Sequence, residues 1–220
     1  RMQRGNDSFY KAIPMDAISS LGEYLNIALG DARNQSVEDN SVDLIVSSSP
    51  YLTSYEYADL HQLSTIWLDF TEDLKQYRTR FIGSSSRPKN RLVLRSEIAN
   101  SVVLQMKDKN KKLSQEIGSF FLDMEQVFDE SYRIMKPGAR CCFVIGNTSL
   151  KGVDILNAQI FAESIQHSGF VLDRIIKREI PSKILPQTRD KKTGRFAASS
   201  EATAEAYPME YIVIGEKCRV

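Results

Sequence analysis

The sequence predicts an α/β fold: a mostly parallel sheet with an antiparallel hairpin closing one edge. Three observations predict it. Apolar runs that include β-branched residues, at 42–47, 139–145 and 211–214, read as strands. Between them lie segments whose apolar residues recur at spacings of three and four, the signature of amphipathic helices. The strands and helices alternate along the chain, and the last two strands adjoin through one long loop, which reads as a hairpin added at an edge.

Residues 7–22 read as a polar lead-in followed by a short helix from Asp16 to Leu21, with Gly22 as its stop. Tyr24 to Leu29 is expected as a strand ending at Gly30-Asp31-Ala32-Arg33, and 34–41 as a polar turn. The strand at 42–47 stops abruptly in serines, a proline and a tyrosine. Tyr57, Leu60, Leu63, Trp67 and Phe70 then predict one amphipathic helix over roughly 55–70. Residues 71–95, with Arg78, Arg80, Arg87, Lys89, Arg91 and Arg95, read as a basic connection. A long helix follows. Its stripe of Ile117, Phe120, Phe121, Met124, Val127, Phe128, Ile134 and Met135 is expected as core, while the lysines between 107 and 112 read as a solvated face. Lys136-Pro137-Gly138 is expected as a sharp stop and turn before the strand 139–145. Asp154 is a candidate cap for a helix carrying Ile155, Ala158, Phe161, Ala162 and Ile165, with Gly169 beyond its end. Residues 170–180 form the next expected strand. The whole reads as a single domain over 1–220: a lead-in at 1–22, an α/β core at 23–180, a basic loop at 181–209 and a last strand at 210–217.

With 220 residues, 42% apolar and 26% charged, the chain suits one globular core. No apolar run approaches the roughly 18 residues of a membrane span, and no signal peptide is read at the start. A net charge of +1 excludes a global basic footprint, so any nucleic-acid contact must be local. Three cysteines in no disulfide-like framework predict a reducing, cytoplasmic setting, and His61 and His167 have no ligand spacing to them, so no metal is expected. The opening Arg1-Met2 reads as a tag remnant, a cut or an excerpt of something longer.

In an open α/β sheet, ligands bind at the carboxyl ends of strands. The strand at 42–47 ends there in Ser48-Ser49-Pro50-Tyr51. That tetrapeptide resembles the (Asp/Asn/Ser)-Pro-Pro-(Tyr/Phe/Trp) motif of the DNA amino-methyltransferases, which methylate adenine N6 or cytosine N4 from S-adenosylmethionine. Gly30-Asp31-Ala32 resembles the end of their third strand, and Asp39 to Ile45 the approach to their catalytic strand. Tyr51 to Phe70, with Tyr55, Tyr57, His61, Leu63 and Trp67, resembles their catalytic loop and helix, and Glu210-Tyr-Ile-Val-Ile214 their last strand. The resemblance covers roughly residues 25–217. It implies a Rossmann-like SAM-dependent methyltransferase fold, of which this chain carries the catalytic half.

Two departures stand out. Ser49 replaces the first proline, and none of the 11 glycines falls in the Gly-x-Gly arrangement of the family's cofactor loop. Close approach of backbone to a cofactor needs residues without Cβ, so a second chain or segment is expected to carry that loop. An aromatic amine is a weak nucleophile, because its lone pair is delocalised into the ring. Acceptors for both amine hydrogens would aim that lone pair at the methyl group. The resemblance implies Ser48 Oγ and the Ser49 carbonyl as those acceptors, Pro50 as a stiffener and Tyr51 as a stacking platform for a flipped base. It implies Asp31, Ala32 and Ser48 as cofactor contacts, and cytosine N4, ahead of adenine N6, as the target. Lys183, Arg189, Lys191, Lys192 and Arg195 are candidate contacts to DNA phosphates. Blander readings stay open: a simple turn after a strand, a capping carboxylate at Asp31, and a solvated basic loop. So do an RNA or protein amino-methyltransferase and a catalytically silent DNA-binding subunit.

Overall fold

A computed structural model describes residues 11, 21–52, 57–84, 93–179, 188–190, 203–205 and 209–219. Contacts divide the chain into two units, 1–31 and 32–220. In the first, Leu21–Tyr24 forms a single helical turn, α1. The strand expected over Tyr24 to Leu29 is not formed, and Leu25, Ile27 and Leu29 are exposed. Alternation favours an extended segment, but a strand also needs a neighbour for its backbone hydrogen bonds.

The second unit opens with β1 (Val42–Ser48), followed by three short helices: α2 (Tyr57–Leu60), α3 (Gln62–Trp67) and α4 (Leu74–Arg78). Two longer ones follow, α5 (Glu97–Lys109) and α6 (Lys111–Ile134), and α6 runs directly into β2 (Met135–Ile145). A small hairpin of β3 (Thr148–Leu150) and β4 (Val153–Ile155) precedes α7 (Asn157–His167) and β5 (Phe170–Glu179). Then come β6 (Thr188–Asp190), β7 (Thr203–Glu205) and β8 (Met209–Lys217). The main sheet has the order β1-β2-β8-β5, with β1 parallel to β2 and β8 antiparallel to both neighbours. The closing hairpin is therefore present, with β8 inserted between β2 and β5.

The long helices start where side chains cap them. Ser96 accepts from Ala99 N at 3.0 Å, and Asn110 accepts from Leu113 N at 3.0 Å. The break at Asn110 divides α5 from α6, and the two pack on each other and on α7. The predicted stripe of α6 is the core: Ile117, Phe120, Phe121, Met124, Phe128 and Ile134 are each no more than 2% exposed. Phe128 meets Phe143 of β2 and Phe161 of α7 edge to face, at centroid distances of 4.9 and 5.0 Å. Buried residues on β2 alternate as Ala139, Cys141, Phe143 and Ile145, so one face of the sheet lies under the helices.

Two expectations are corrected here. Lys136-Pro137-Gly138 does not precede the strand but forms a bulge within it. Val42 pairs with Met135 and Leu44 with Arg140, so five residues of β2 advance against two of β1. Gly138 takes φ +82°, which lets proline and glycine sit in a strand without ending it. Asp154 does not cap α7, because it lies in β4. The first turn of α7 is held instead by Asn147, whose Oδ1 accepts from Ala158 N at 2.9 Å.

Gly169 ends α7 at φ +104°, where an added Cβ would lie 2.9 Å from Tyr132 Cζ. Gly169→Ala should cost about 2 kcal/mol in a urea unfolding titration, through both backbone strain and the displaced ring. Burial pushes the Cys141 thiol up to about 11, while Cys218 is exposed. Thiol labelling of the native chain at neutral pH should modify Cys218 rapidly and reach Cys141 only on unfolding.

Candidate active-site loop at the end of the first strand

Ser48 is the last rung of β1, opposite Val144 of β2. The Ser49 N–H donates to the Val144 carbonyl at 3.1 Å, which carries the pairing one residue past the strand. A proline at this position has no N–H to give, so the serine that departs from the family motif makes a ladder bond the motif cannot make. Ser49 is 3% exposed, and its Oγ is buried without a hydrogen-bond partner among the described residues. Ser48, by contrast, is exposed.

Pro50 and Tyr51 are half-buried, and Leu52 is buried in the core. Leu52 therefore anchors the loop from its far side. The Tyr51 ring packs against the core rim, and its hydroxyl donates to Glu210 Oε1 at 3.2 Å. Glu210 lies on β8, two strands from β1. The loop thus crosses the carboxyl end of β2. Arg178 of β5, opposite Glu210 in the register, donates to the other carboxylate oxygen. Sequence reasoning passed over Glu210 and Arg178 as site residues. The signal for them was a lone carboxylate opening an apolar strand, facing an arginine across a hairpin.

Asp31 is exposed and is the last residue of the first unit, while Ala32, also exposed, is the first of the second. The next residue, Arg33, is half-buried. Its guanidinium lies 3.4 Å from buried Asp123 and donates to the Arg80 carbonyl at 2.9 Å. Arg189 sits in β6, paired with β7. Lys183, Lys191, Lys192 and Arg195 lie outside the described residues. Asn147 is a satisfied turn residue, its Nδ2 donating to Gln159 Oε1 at 3.2 Å and its Oδ1 accepting from Ala158 N. The single helix expected over 55–70 is two short helices broken at His61, and Leu60, Leu63, Trp67 and Phe70 along its stripe are all exposed. With no described element packed on that stripe, nothing among the described residues selects one continuous helix over two pieces. Among the described residues no cluster of His, Cys, Asp or Glu is arranged for a metal, and no helix is long and apolar enough to cross a membrane.

Two substitutions separate the roles of Ser49. Ser49→Ala removes an unsatisfied buried hydroxyl and should leave stability equal or raise it by up to about 1 kcal/mol. Ser49→Pro restores the family motif but deletes the bond to Val144, and should lower stability by about 1–2 kcal/mol. Thermal unfolding of both variants checks the pair.

No family model matches the chain. It is 25% identical over 207 residues to the type II methyltransferase M.MvaI of Kocuria varians, covering 86% of this chain and 45% of that protein. To the type II methyltransferase M.BsoBI of Geobacillus stearothermophilus it is 26% identical over 163 residues, covering 59% and 32%. M.AvaI of Nostoc matches at 25% over 158 residues, covering 63% and 33%. The chain thus spans between about a third and a half of the length of these relatives. The solved structure of TTHA0409 from Thermus thermophilus, complexed with S-adenosyl-L-methionine, is similar at a TM-score of 0.43 and 17% identity, covering 87% of this chain and 53% of that one. So loose a superposition adds nothing to the topology above. Its sequence matches thus make the chain similar to type II methyltransferases over the portion of them that it spans.

Proposed function

We propose that this chain is the catalytic half of a SAM-dependent DNA methyltransferase acting on an exocyclic amine of a flipped base, cytosine N4 foremost. The observation that carries the reading is the loop Ser48–Tyr51. It leaves the carboxyl end of the parallel strand β1, held by Ser49 N to Val144 O and by Tyr51 to Glu210. Ser48 Oγ, exposed beside the crossing loop, and the Ser49 carbonyl would accept the two amine hydrogens. Tyr51 would stack on the base, worth about 1–3 kcal/mol by analogy with other aromatic platforms. The proton leaves after attack, so no histidine base is needed. The work of these residues is orientation and preorganised acceptance. S-adenosylmethionine, when bound, supplies the methyl group as an electrophile.

The residues present fit the acceptor side of such a site and not the donor side. Asp31 is exposed, and Gly30 has open space around it in place of a cradle. β1 supports a partner that completes the site. Among the described residues it pairs only with β2, leaving its other edge free. On the face away from the helices Leu44 and Val46 are 57% and 68% exposed, whereas parallel strands are ordinarily buried on both faces. We assign that edge and face to the second chain or segment carrying the glycine-rich cofactor loop. The basic stretch with Lys183, Arg189, Lys191, Lys192 and Arg195 would hold DNA phosphates, which position the duplex without reading it.

Calorimetric titration of S-adenosylmethionine should show no saturable binding to the chain alone, and binding once the glycine-loop segment is added. In the assembled enzyme Tyr51→Ala should lower methyl transfer at least about tenfold, the cost of a lost stacking platform. Unchanged turnover would remove the stacking role. DNA binding without cofactor binding under either condition would favour a silent positioning subunit, the reading to which Ser49 lends support.

A further inference from the structure

Tyr51 and Glu210 lie 159 residues apart and meet across an intervening strand. Glu210 is 8% exposed, and each of its carboxylate oxygens has a donor: Oε1 takes the Tyr51 hydroxyl, and Oε2 the Arg178 guanidinium. The cross-strand register places Arg178 opposite Glu210 next to the end of the β5–β8 pair. The two residues therefore close the neck of the stretch between β5 and β8 that carries Arg189 and the other basic residues.

From this geometry we infer that Glu210 is a positioning residue for Tyr51. A tyrosine ring turns about two side-chain torsions. Packing at its base and a hydrogen bond at its tip together restrict both, so the ring plane is set before a base arrives. Arg178 holds the second carboxylate oxygen and so keeps Glu210 itself from turning. A preset platform spares the ordering cost that a free ring would incur on binding. The arrangement also ties the neck of the basic stretch to the aromatic ring through one carboxylate. The inference rests on the base-stacking reading of Tyr51 and adds the group that orients it.

The contact is tested first in the full chain by NMR with tyrosine labelled at ¹³Cζ. The resonance that disappears in Tyr51→Phe belongs to Tyr51. It should shift in Glu210→Ala, where the acceptor is gone, and shift less in Glu210→Gln, which keeps an acceptor oxygen. A Tyr51 resonance unmoved by Glu210→Ala overturns the inference. The second arm uses the assembled methyltransferase. Tyr51→Phe and Glu210→Ala should each lower kcat by roughly ten- to a hundredfold, the cost of a misplaced group, with KM for DNA nearly unchanged. The double variant should be no worse than either single one, and Glu210→Gln should recover most of the loss. Additive losses, or full turnover in Tyr51→Phe, overturn the inference. Tyr51→Phe deletes one hydroxyl from a half-buried ring, so its result does not depend on whether Glu210→Ala folds. If the wild-type assembly transfers no methyl group, the stacking reading fails on its own, and the NMR arm still decides whether Glu210 orients Tyr51.

Discussion

Three carboxylates on α6 are buried, and a buried carboxylate must find donors. Each finds a backbone N–H on a different connecting segment. Asp123 accepts from Gly83 N at 3.0 Å, Glu125 from Arg95 N at 2.8 Å and Glu130 from Gln35 N at 2.6 Å. Each also meets an arginine: Arg33, Arg95 and Arg133 respectively. Hydrogen bonding to Arg133 holds the Glu130 carboxyl below the ordinary range. Its contribution to stability is therefore present above the ordinary carboxylate range and is lost as pH falls through the depressed value. In the Asp123–Arg33 pair both side chains are largely buried, and removing one of them costs on the order of 3–5 kcal/mol, because the remaining charge stays buried. The helix that roofs the sheet thus also fixes the path of the chain on either side of it.

The loop at 48–51 inherits its position from that arrangement. Asn40 N and Ser41 N donate to the Arg133 and Ile134 carbonyls at the end of α6, at 3.1 and 2.8 Å. Lys217 Nζ bridges Asn40 Oδ1 and the Tyr132 carbonyl at 2.8 and 2.7 Å. The start of β1 is pinned to the helix end, and six register pairs with β2 carry that placement to Ser48. The loop beyond is held by Leu52 in the core and by Tyr51 on Glu210. What sits at 48–51 is placed by contacts at 35–41, a strand's length away.

Some of this was legible in the residues alone and some was not. The apolar stripe of α6, the order of strands and the closing hairpin follow from periodicity, which is a local property. The acid clamps do not, because Gln35 and Glu130 are 95 residues apart and nothing near either announces the other. The Lys-Pro-Gly segment is a bulge only because β1 lies beside it, since the same three residues without a neighbour read as a turn. Tyr24 to Leu29 and the stripe at 60–70 show the reverse failure, in which a pattern fit for a strand or helix finds, among the described residues, no surface that would select it. At the site, Ser48 to Tyr51 stood out as an abrupt polar end to an apolar run. Glu210 read as an ordinary member of the last strand, because its partners are set by register and by a loop 159 residues away.

The edge of β1 that no described residue pairs with bears on how the chain behaves in solution. An unpaired strand edge presents a row of N–H and C=O groups that will accept any extended segment, and proteins ordinarily blunt such edges with charge, proline or a bulge. Along β1 the sole charge is Asp43, which Lys136 engages at 2.8 Å, and Leu44 and Val46 stand exposed beside it. Left unpaired in the isolated chain, that edge is a ready template for copies of itself. Self-association through β1 would rise with concentration and be suppressed by co-synthesis with the segment proposed for that edge. For anyone purifying it, solubility becomes a report on whether that edge is filled.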